Sequence, residues 1–318
     1  MVATKLSVVI PAYNEQESFP KFYPLLLRSV NQAVGDSYEI IIVNDGSTDS
    51  TLDILKNISK SNKKLRIINF SRNFGKEIAT TAGIFHARGE AILMIDADGQ
   101  HPPELIKKFI ELWQAGSQVV IGVRLSNEKE GFIKKWGSIF FYKLFNTSGS
   151  TAMIPGATDY RLIDKEVQSE FIKFSERYRI TRGLIDWMGF ERTTIPFSAN
   201  QRLGGKASYK ITKLVRLALD SFVSSSVAPL FIVGYVGTFI TVVTFIVGLF
   251  LFIEQILLDD PLRLRVTGTA MLSLLILFLV GIILISQGLI SLYISHVHAQ
   301  TQNRPLFIID KRNSVRLD

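Results

Sequence analysis

The chain has 318 residues, with 36 Lys plus Arg against 28 Asp plus Glu, a formal net charge of +8, 47% hydrophobic residues and a mean hydropathy of +0.25. A chain this apolar that still carries 20% charged residues is neither intrinsically disordered nor a coiled coil, and is expected to join a water-soluble part to a membrane part. It has no Cys, which excludes disulfides, thiolate metal sites and a Cys nucleophile, and its four His show no paired spacing for a zinc site.

The N-terminal MVATKLSVVIPAYNE does not read as a signal peptide, because its apolar run is short and Pro11 stops it. Five short, β-branched runs follow: Leu6–Ile10, Glu39–Val43, Leu65–Asn69, Ala91–Ile95 and Gln118–Gly122. After the first, they start about 26 residues apart, and gaps such as Asp49–Ser61, Gly75–Arg88 and Pro102–Ala115 have room for helices. Continuous apolar strands alternating with amphipathic helices predict a doubly wound, mostly parallel α/β sheet. Ligands of such sheets sit beyond the carboxyl ends of the strands.

The residues after each run are therefore the informative ones. They are Pro11-Ala12-Tyr13-Asn14-Glu15, Asn44-Asp45-Gly46-Ser47-Thr48-Asp49, Ser71-Arg72-Asn73-Phe74-Gly75-Lys76, Asp96-Ala97-Asp98-Gly99-Gln100 and Val123-Arg124. Asp96 and Asp98 alternate on an extended segment and can offer oxygens to Mg²⁺ or Mn²⁺, which completes its shell with phosphate oxygens and water; Gln100 can add an amide oxygen. The bland alternative is a helix cap before Pro102, Pro103 and Glu104. Asn44–Thr48 reads either as a turn with an N-cap at Ser47 or Thr48, or as a carboxylate, Asp45, for a base or ribose. No G-x-G-x-x-G follows the first run, and there is no Walker G-x-x-x-x-G-K-S, which argues against an NAD fold and a P-loop ATPase.

Further along, residues 202–216 hold Arg202, Lys206, Lys210, Lys213 and Arg216 with no acid. Apolar Ile211, Leu214, Val215, Ala218 and Phe222 recur there at helical steps, the pattern of an interfacial helix; Phe132–Asn146 is a second candidate. The basic charge clusters beside the membrane part, so a nucleic-acid partner is not expected. Residues 227–253 and 266–295 hold no charged residue, and each is long enough to cross a bilayer. The polar loop 254–265 is net acidic and the 296–318 tail net basic, so both flanks of this two-span hairpin are expected in the cytosol. Gly237, Thr241, Thr244 and Gly248 share one helix face, as do Gly281 and Gly288, for self-association or packing within the hairpin. The expected organisation is a catalytic domain at 1–201, an interfacial region at 202–226, the two spans with their loop, and a tail.

The four tip motifs, in this order, resemble family 2 glycosyltransferases of the GT-A fold. More narrowly, residues 5–310 resemble the polyprenyl-phosphate glycosyltransferases, which include dolichol-phosphate mannose synthases and bacterial bactoprenol (undecaprenyl-phosphate) glucosyltransferases. One departure is Gly99, where many relatives carry Leu; its expected effect is only a looser loop. The resemblance implies that Pro11, Tyr13, Glu15, Asp45, Asp96 and Ala97 hold the nucleotide sugar and that Asp96, Asp98 and Gln100 hold Mg²⁺ or Mn²⁺. It implies that Arg124 faces the diphosphate and that Asp159 is a catalytic base or acceptor-site acid. Arg202 would handle phosphate, with Lys206, Ser208 and Tyr209 of the same segment. The implied activity is inverting transfer of a hexose from UDP-glucose, or alternatively from GDP-mannose, to polyprenyl phosphate. Competing readings are a processive polysaccharide synthase, whose Q-x-x-R-W motif is missing from Gln201-Arg202-Leu203-Gly204-Gly205, and an inactive membrane scaffold.

Overall fold

The computed structural model describes residues 4–125, 154–177, 179–201, 203, 246, 249–250, 253, 268–302 and 304–317. The chain divides into two compact units, Met1–Tyr209 together with Arg304–Asp318, and Lys210–Asn303.

The first unit is built on a seven-stranded sheet: β1 (Leu6–Ala12), β2 (Tyr38–Asn44), β3 (Leu65–Asn69), β4 (Ala91–Met94), β5 (Val119–Arg124), β6 (Ala157–Asp164) and β7 (Arg192–Phe197). The strand order is β3-β2-β1-β4-β6-β5-β7, and β6 alone runs against the others. All five predicted runs are strands; β3 has the predicted ends, and those of the other four move by one or two residues. β1 runs on through Pro11, which is paired with Val43 of β2 but lies past the last β1–β4 pair, Val9 with Met94, so its missing N–H costs no ladder bond on the β4 side. Among the described residues, β6 and β7 are the two strands the runs do not reveal.

The helices are α1 (Phe19–Val34), α2 (Thr51–Ser61), α3 (Lys76–His86), a 3₁₀ turn at Pro103–Leu105 continuing into α4 (Ile106–Gln114), α5 (Lys165–Phe171) and α6 (Thr181–Trp187). Alternate residues of each central strand point to opposite faces, so the sheet buries two cores. Val8, Ile10, Ile40 and Ile42 face α1 and α4, whereas Val9, Ile41, Val43 and Ile92 face α3 and α5. That is the double winding expected from strands that are apolar on both sides.

The second core contains residues from the other end of the chain. Phe307 stacks on Phe70 at 5.2 Å, and Ile309 packs beside it. Along the edge strand β3, Ile67 and Val315 exchange both backbone hydrogen bonds, and the amide of Ser71 donates to the carbonyl of Ile308. Arg66 donates to the carbonyls of Arg316 and Leu317, and Arg316 in turn to that of Leu65. Within the expected tail, residues 307–317 form a strap over an otherwise open sheet edge, which supplies partners for backbone groups that would attract another strand.

In the second unit, α7 (Gly268–Thr301) is one continuous 34-residue helix that takes in nearly all of the second predicted span. Several of its side chains lie outside the described set, and over the described residues no helix is long and apolar enough to cross a membrane. The interfacial segments at 132–146 and 204–226, the first predicted span apart from four positions, and the loop 254–265 lie outside the described residues.

Candidate active site

The predicted tips do meet at one rim of the sheet. β4 and β6 are antiparallel, with Met94 opposite Arg161. Extending that register by two residues brings Asp159 opposite Asp96, which is how a strand running the wrong way delivers a carboxylate to the carboxyl-end rim. Lys76, at the first turn of α3, fills the space between them. Its ammonium donates to Asp96 Oδ2 at 2.8 Å and Asp159 Oδ2 at 2.9 Å, and lies 2.7 Å from Asp96 Oδ1 as an ion pair. The three side chains stay partly open, with 40%, 24% and 29% of Lys76, Asp96 and Asp159 exposed. Burial pushes the Asp159 carboxyl up, but the charge and hydrogen bond of Lys76, with Arg182 and Arg161 behind them, outweigh it and hold it down to about 2. Burial likewise pulls the Lys76 ammonium down, and the two carboxylates reverse this and raise it above its ordinary value.

Asp45 is buried at the end of β2. Its Oδ1 accepts from the amide of Phe74 at 2.6 Å and its Oδ2 from that of Gly75 at 2.9 Å. Burial pushes this carboxyl up, against the pull of those two amides and of Arg72. In this arrangement Asp45 fastens the loop that leads into Lys76. Gly46 lets that loop come close: a Cβ there would sit 2.4 Å from the Arg72 carbonyl carbon. Ser47 is not a helix cap. It donates to Asn44 Oδ1 and accepts from the amide of Asn14, while Asp49 accepts from the amide of Thr51 at the start of α2. The loops after β1 and β2 are thereby interlocked. Tyr13 stands exposed between them, and the Glu15 carboxylate accepts from the hydroxyl of Ser18.

Asp98 spends Oδ1 on the amide of Gln100 at 3.0 Å; its Oδ2 has no hydrogen bond among the described residues. Ala97 is buried, and Arg124 is exposed at the end of β5. The segment after β7 closes on this loop. Leu203 N donates to Asp98 O, and Asn200 N to Gln100 O. Gly99 has φ +78°, and a Cβ there would lie 2.5 Å from Leu203 Cδ1. The expectation of a loosened loop is thus corrected: Leu203 occupies the room left at Gly99 and clamps the loop. Arg202, Lys206, Ser208 and Tyr209 lie outside the described residues.

Among the described residues no three His, Asp or Glu side chains converge to hold a metal on their own. Asp96 is engaged by Lys76, which leaves Asp98 as the open carboxylate. That donor set fits Mg²⁺ or Mn²⁺ only as an ion that brings phosphate oxygens with it.

Two participants carry no assigned role in the chemistry of the site on the sequence alone, where His101 is only a candidate helix cap. Lys76 sits in a motif, but its partners lie 20 and 83 residues away. His101 is buried, stacks on Tyr160 at 5.0 Å and accepts the Asp96 amide at Nδ1. Burial holds its imidazole below the usual range, which suits an acceptor nitrogen.

Residues 7–171 match glycosyl transferase family 2. The chain is 38% identical over 305 residues to an uncharacterized glycosyltransferase of Synechocystis sp., covering 96% of this chain and 94% of the relative. It is 34% identical over 307 residues to the SfII prophage-derived bactoprenol glucosyl transferase of Shigella flexneri, covering 96% and 98%. Among solved structures, mannosyl-3-phosphoglycerate synthase from Rubrobacter xylanophilus aligns at 16% identity with a TM-score of 0.48, covering 68% of this chain and 71% of that one. With its mixed α/β sheet, its rim motifs and these near full-length relatives, the chain belongs to glycosyl transferase family 2.

Proposed function

We propose that this glycosyltransferase moves a hexose, glucose from UDP-glucose, onto polyprenyl phosphate at a membrane surface, with inversion at the anomeric carbon. The observation that carries the reading is the meeting of Asp96, Asp98 and Asp159 at one rim, beside the interlocked loops after β1 and β2. Near full-length similarity to bactoprenol glucosyl transferases supports the lipid acceptor and the sugar.

The acceptor is a phosphate monoester with a second pKa of about 6, so it is largely dianionic at neutral pH and needs no strong base. Asp159, held ionised, is suited to orienting acceptor or sugar rather than to taking a proton. In the transfer, a phosphate oxygen of the lipid forms a bond to the anomeric carbon while the bond from that carbon to the nucleoside diphosphate breaks. Pro11, Tyr13, Glu15 and Ala97 line the nucleotide side, and Asp45 sets the loop beside it. Asp98, with Asp96 and Gln100, would hold Mg²⁺ or Mn²⁺ against the diphosphate, and the ion would supply charge neutralisation for the leaving group. Arg124 faces that diphosphate, while Arg202, Lys206, Ser208 and Tyr209 receive the lipid phosphate.

Membrane attachment through a two-span hairpin, with the catalytic unit cytosolic, belongs to the same proposal. Helix α7 is 34 residues long, or about 51 Å at 1.5 Å per residue, and its sequence is free of Asp, Glu, Lys and Arg up to Ser295. Its exposed Leu272, Ile276, Leu279 and Ile283 recur at steps of 4, 3 and 4, one apolar stripe. The 210–303 unit is inserted between parts of one folded unit, so an even number of crossings returns the chain to its starting side. Self-association through the small-residue faces of the spans completes the proposal, and crosslinking in native membranes reads it.

The test is transfer of labelled sugar to organic-extractable lipid, run with a panel of nucleotide sugars, with and without EDTA. Transfer from UDP-glucose that EDTA abolishes is expected. GDP-mannose as the better donor would replace the donor, a growing polymer would replace the reaction, and no transfer from any donor would favour a scaffold. Asp98→Ala is expected to abolish turnover; near-normal activity would remove the metal assignment.

A further inference from the structure

We infer that Lys76 is a positioning residue for sugar transfer, locking Asp159 to Asp96 across the pocket and coupling both to the nucleotide-side loop. This rests on the reading of the site as a glycosyltransferase centre. At Lys76 one ammonium donates to two carboxylates held at the ends of adjacent antiparallel strands, and a second oxygen of Asp96 lies in ion-pair contact with it. Without that cation, two like charges would face each other at neighbouring register positions and move apart.

The placement of Lys76 is itself determined from the nucleotide side. The two residues before it, Phe74 and Gly75, donate their amides to Asp45, and Gly46 lets their loop seat against β2. Asp45, the Phe74–Gly75 turn, Lys76 and then Asp96 with Asp159 form one unbroken run of hydrogen bonds and covalent links. Whatever seats the nucleotide beside the Asp45 loop therefore also sets the position of Asp159. Lys76 keeps 40% of its side chain exposed at the mouth of the site.

The full-length protein in detergent tests this with Lys76→Met and Lys76→Arg, reading donor affinity by calorimetry and turnover by lipid-linked label. Lys76→Met is expected to lower kcat about 100-fold, the scale of a catalytic group displaced by about 1 Å, while donor affinity changes about threefold or less. In Lys76→Arg a planar, bulkier guanidinium fork cannot put one nitrogen between both carboxylates, so kcat should fall about tenfold, again with donor affinity kept. Turnover at the wild-type level in either folded variant overturns the inference. So does a parallel loss of donor affinity and kcat, which would make Lys76 a donor ligand instead. If Lys76→Met does not fold, the Arg variant decides. If the wild-type protein transfers no sugar, the glycosyltransferase reading fails and this inference with it; a working wild type beside an equally active Lys76→Met removes the inference alone.

Discussion

Strand β6 carries two ion clusters two residues apart, and they behave as opposites. Asp159 meets Lys76 and Asp96 at the open rim, each partly exposed. Arg161, lower on the same strand, is 1% exposed and pairs with the equally buried Asp186 of α6, its Nη1 at 2.7 Å from Oδ1 and its Nη2 at 3.3 Å from Oδ2. Its remaining donors reach the carbonyls of Thr158 and Arg182. The lower pair is sealed at its centre, with Arg192 approaching Asp186 from the partly exposed side at 3.7 Å, and it ties α6 to the sheet directly beneath the site. The upper one is open, so its contacts can be exchanged with solvent or a ligand. The same pairing chemistry makes a sealed tie in one place and an accessible contact in the other.

That contrast can be broken by substitution. Asp186→Ala should cost about 3–5 kcal/mol, because it strands a buried guanidinium; chemical unfolding of the full-length protein measures it, and a loss below about 1 kcal/mol would mean that the lower cluster is not a lock. Asp159→Asn should leave stability and donor affinity nearly unchanged while lowering transfer about 100-fold; unimpaired transfer would make Asp159 architectural too. Gly99→Leu tests the clamp over the upper cluster. It puts a side chain where Leu203 packs, and should cost about 1–3 kcal/mol and depress turnover. An unchanged melting temperature and rate would show that Leu203 yields easily. At the bottom of the scale stands the solvated pair of Lys173 with Glu170, one turn apart on the surface. Removing it with Glu170→Gln should change stability by less than about 0.5 kcal/mol, and calorimetric melting sets this floor for the other three.

The central sheet is legible in the sequence because β1 to β4 are buried on both faces and read as mostly apolar, β-branched runs with only scattered polar residues such as Ser7, Glu39 and Arg66. β6 is not, since Asp159, Arg161 and Asp164 interrupt it. Arg161 is buried only because Asp186 lies 25 residues on, which no local pattern reveals. β7 hides for a different reason: it is an exposed edge with Pro196 in it, alternating and short. In the site, the tip motifs mark which loops matter. They cannot tell that Asp45 points at its own protein's amides, or that Lys76 reaches Asp159, since those pairings depend on the strand order and on one reversed strand. The strap escapes notice because Ile67 and Val315 lie far apart in sequence, with both predicted spans between them.

The strap also has a consequence for biosynthesis. Residues 304–317 are translated only after the 210–303 unit, so during elongation β3 and the Ser71 loop wait with bare backbone facing solvent. Nascent chains are exposed to mispairing over that interval, and a shortened product ending near 209 would retain the exposure permanently. Expression trials that trim away the hydrophobic unit should therefore graft the last residues back through a linker, or expect aggregated material.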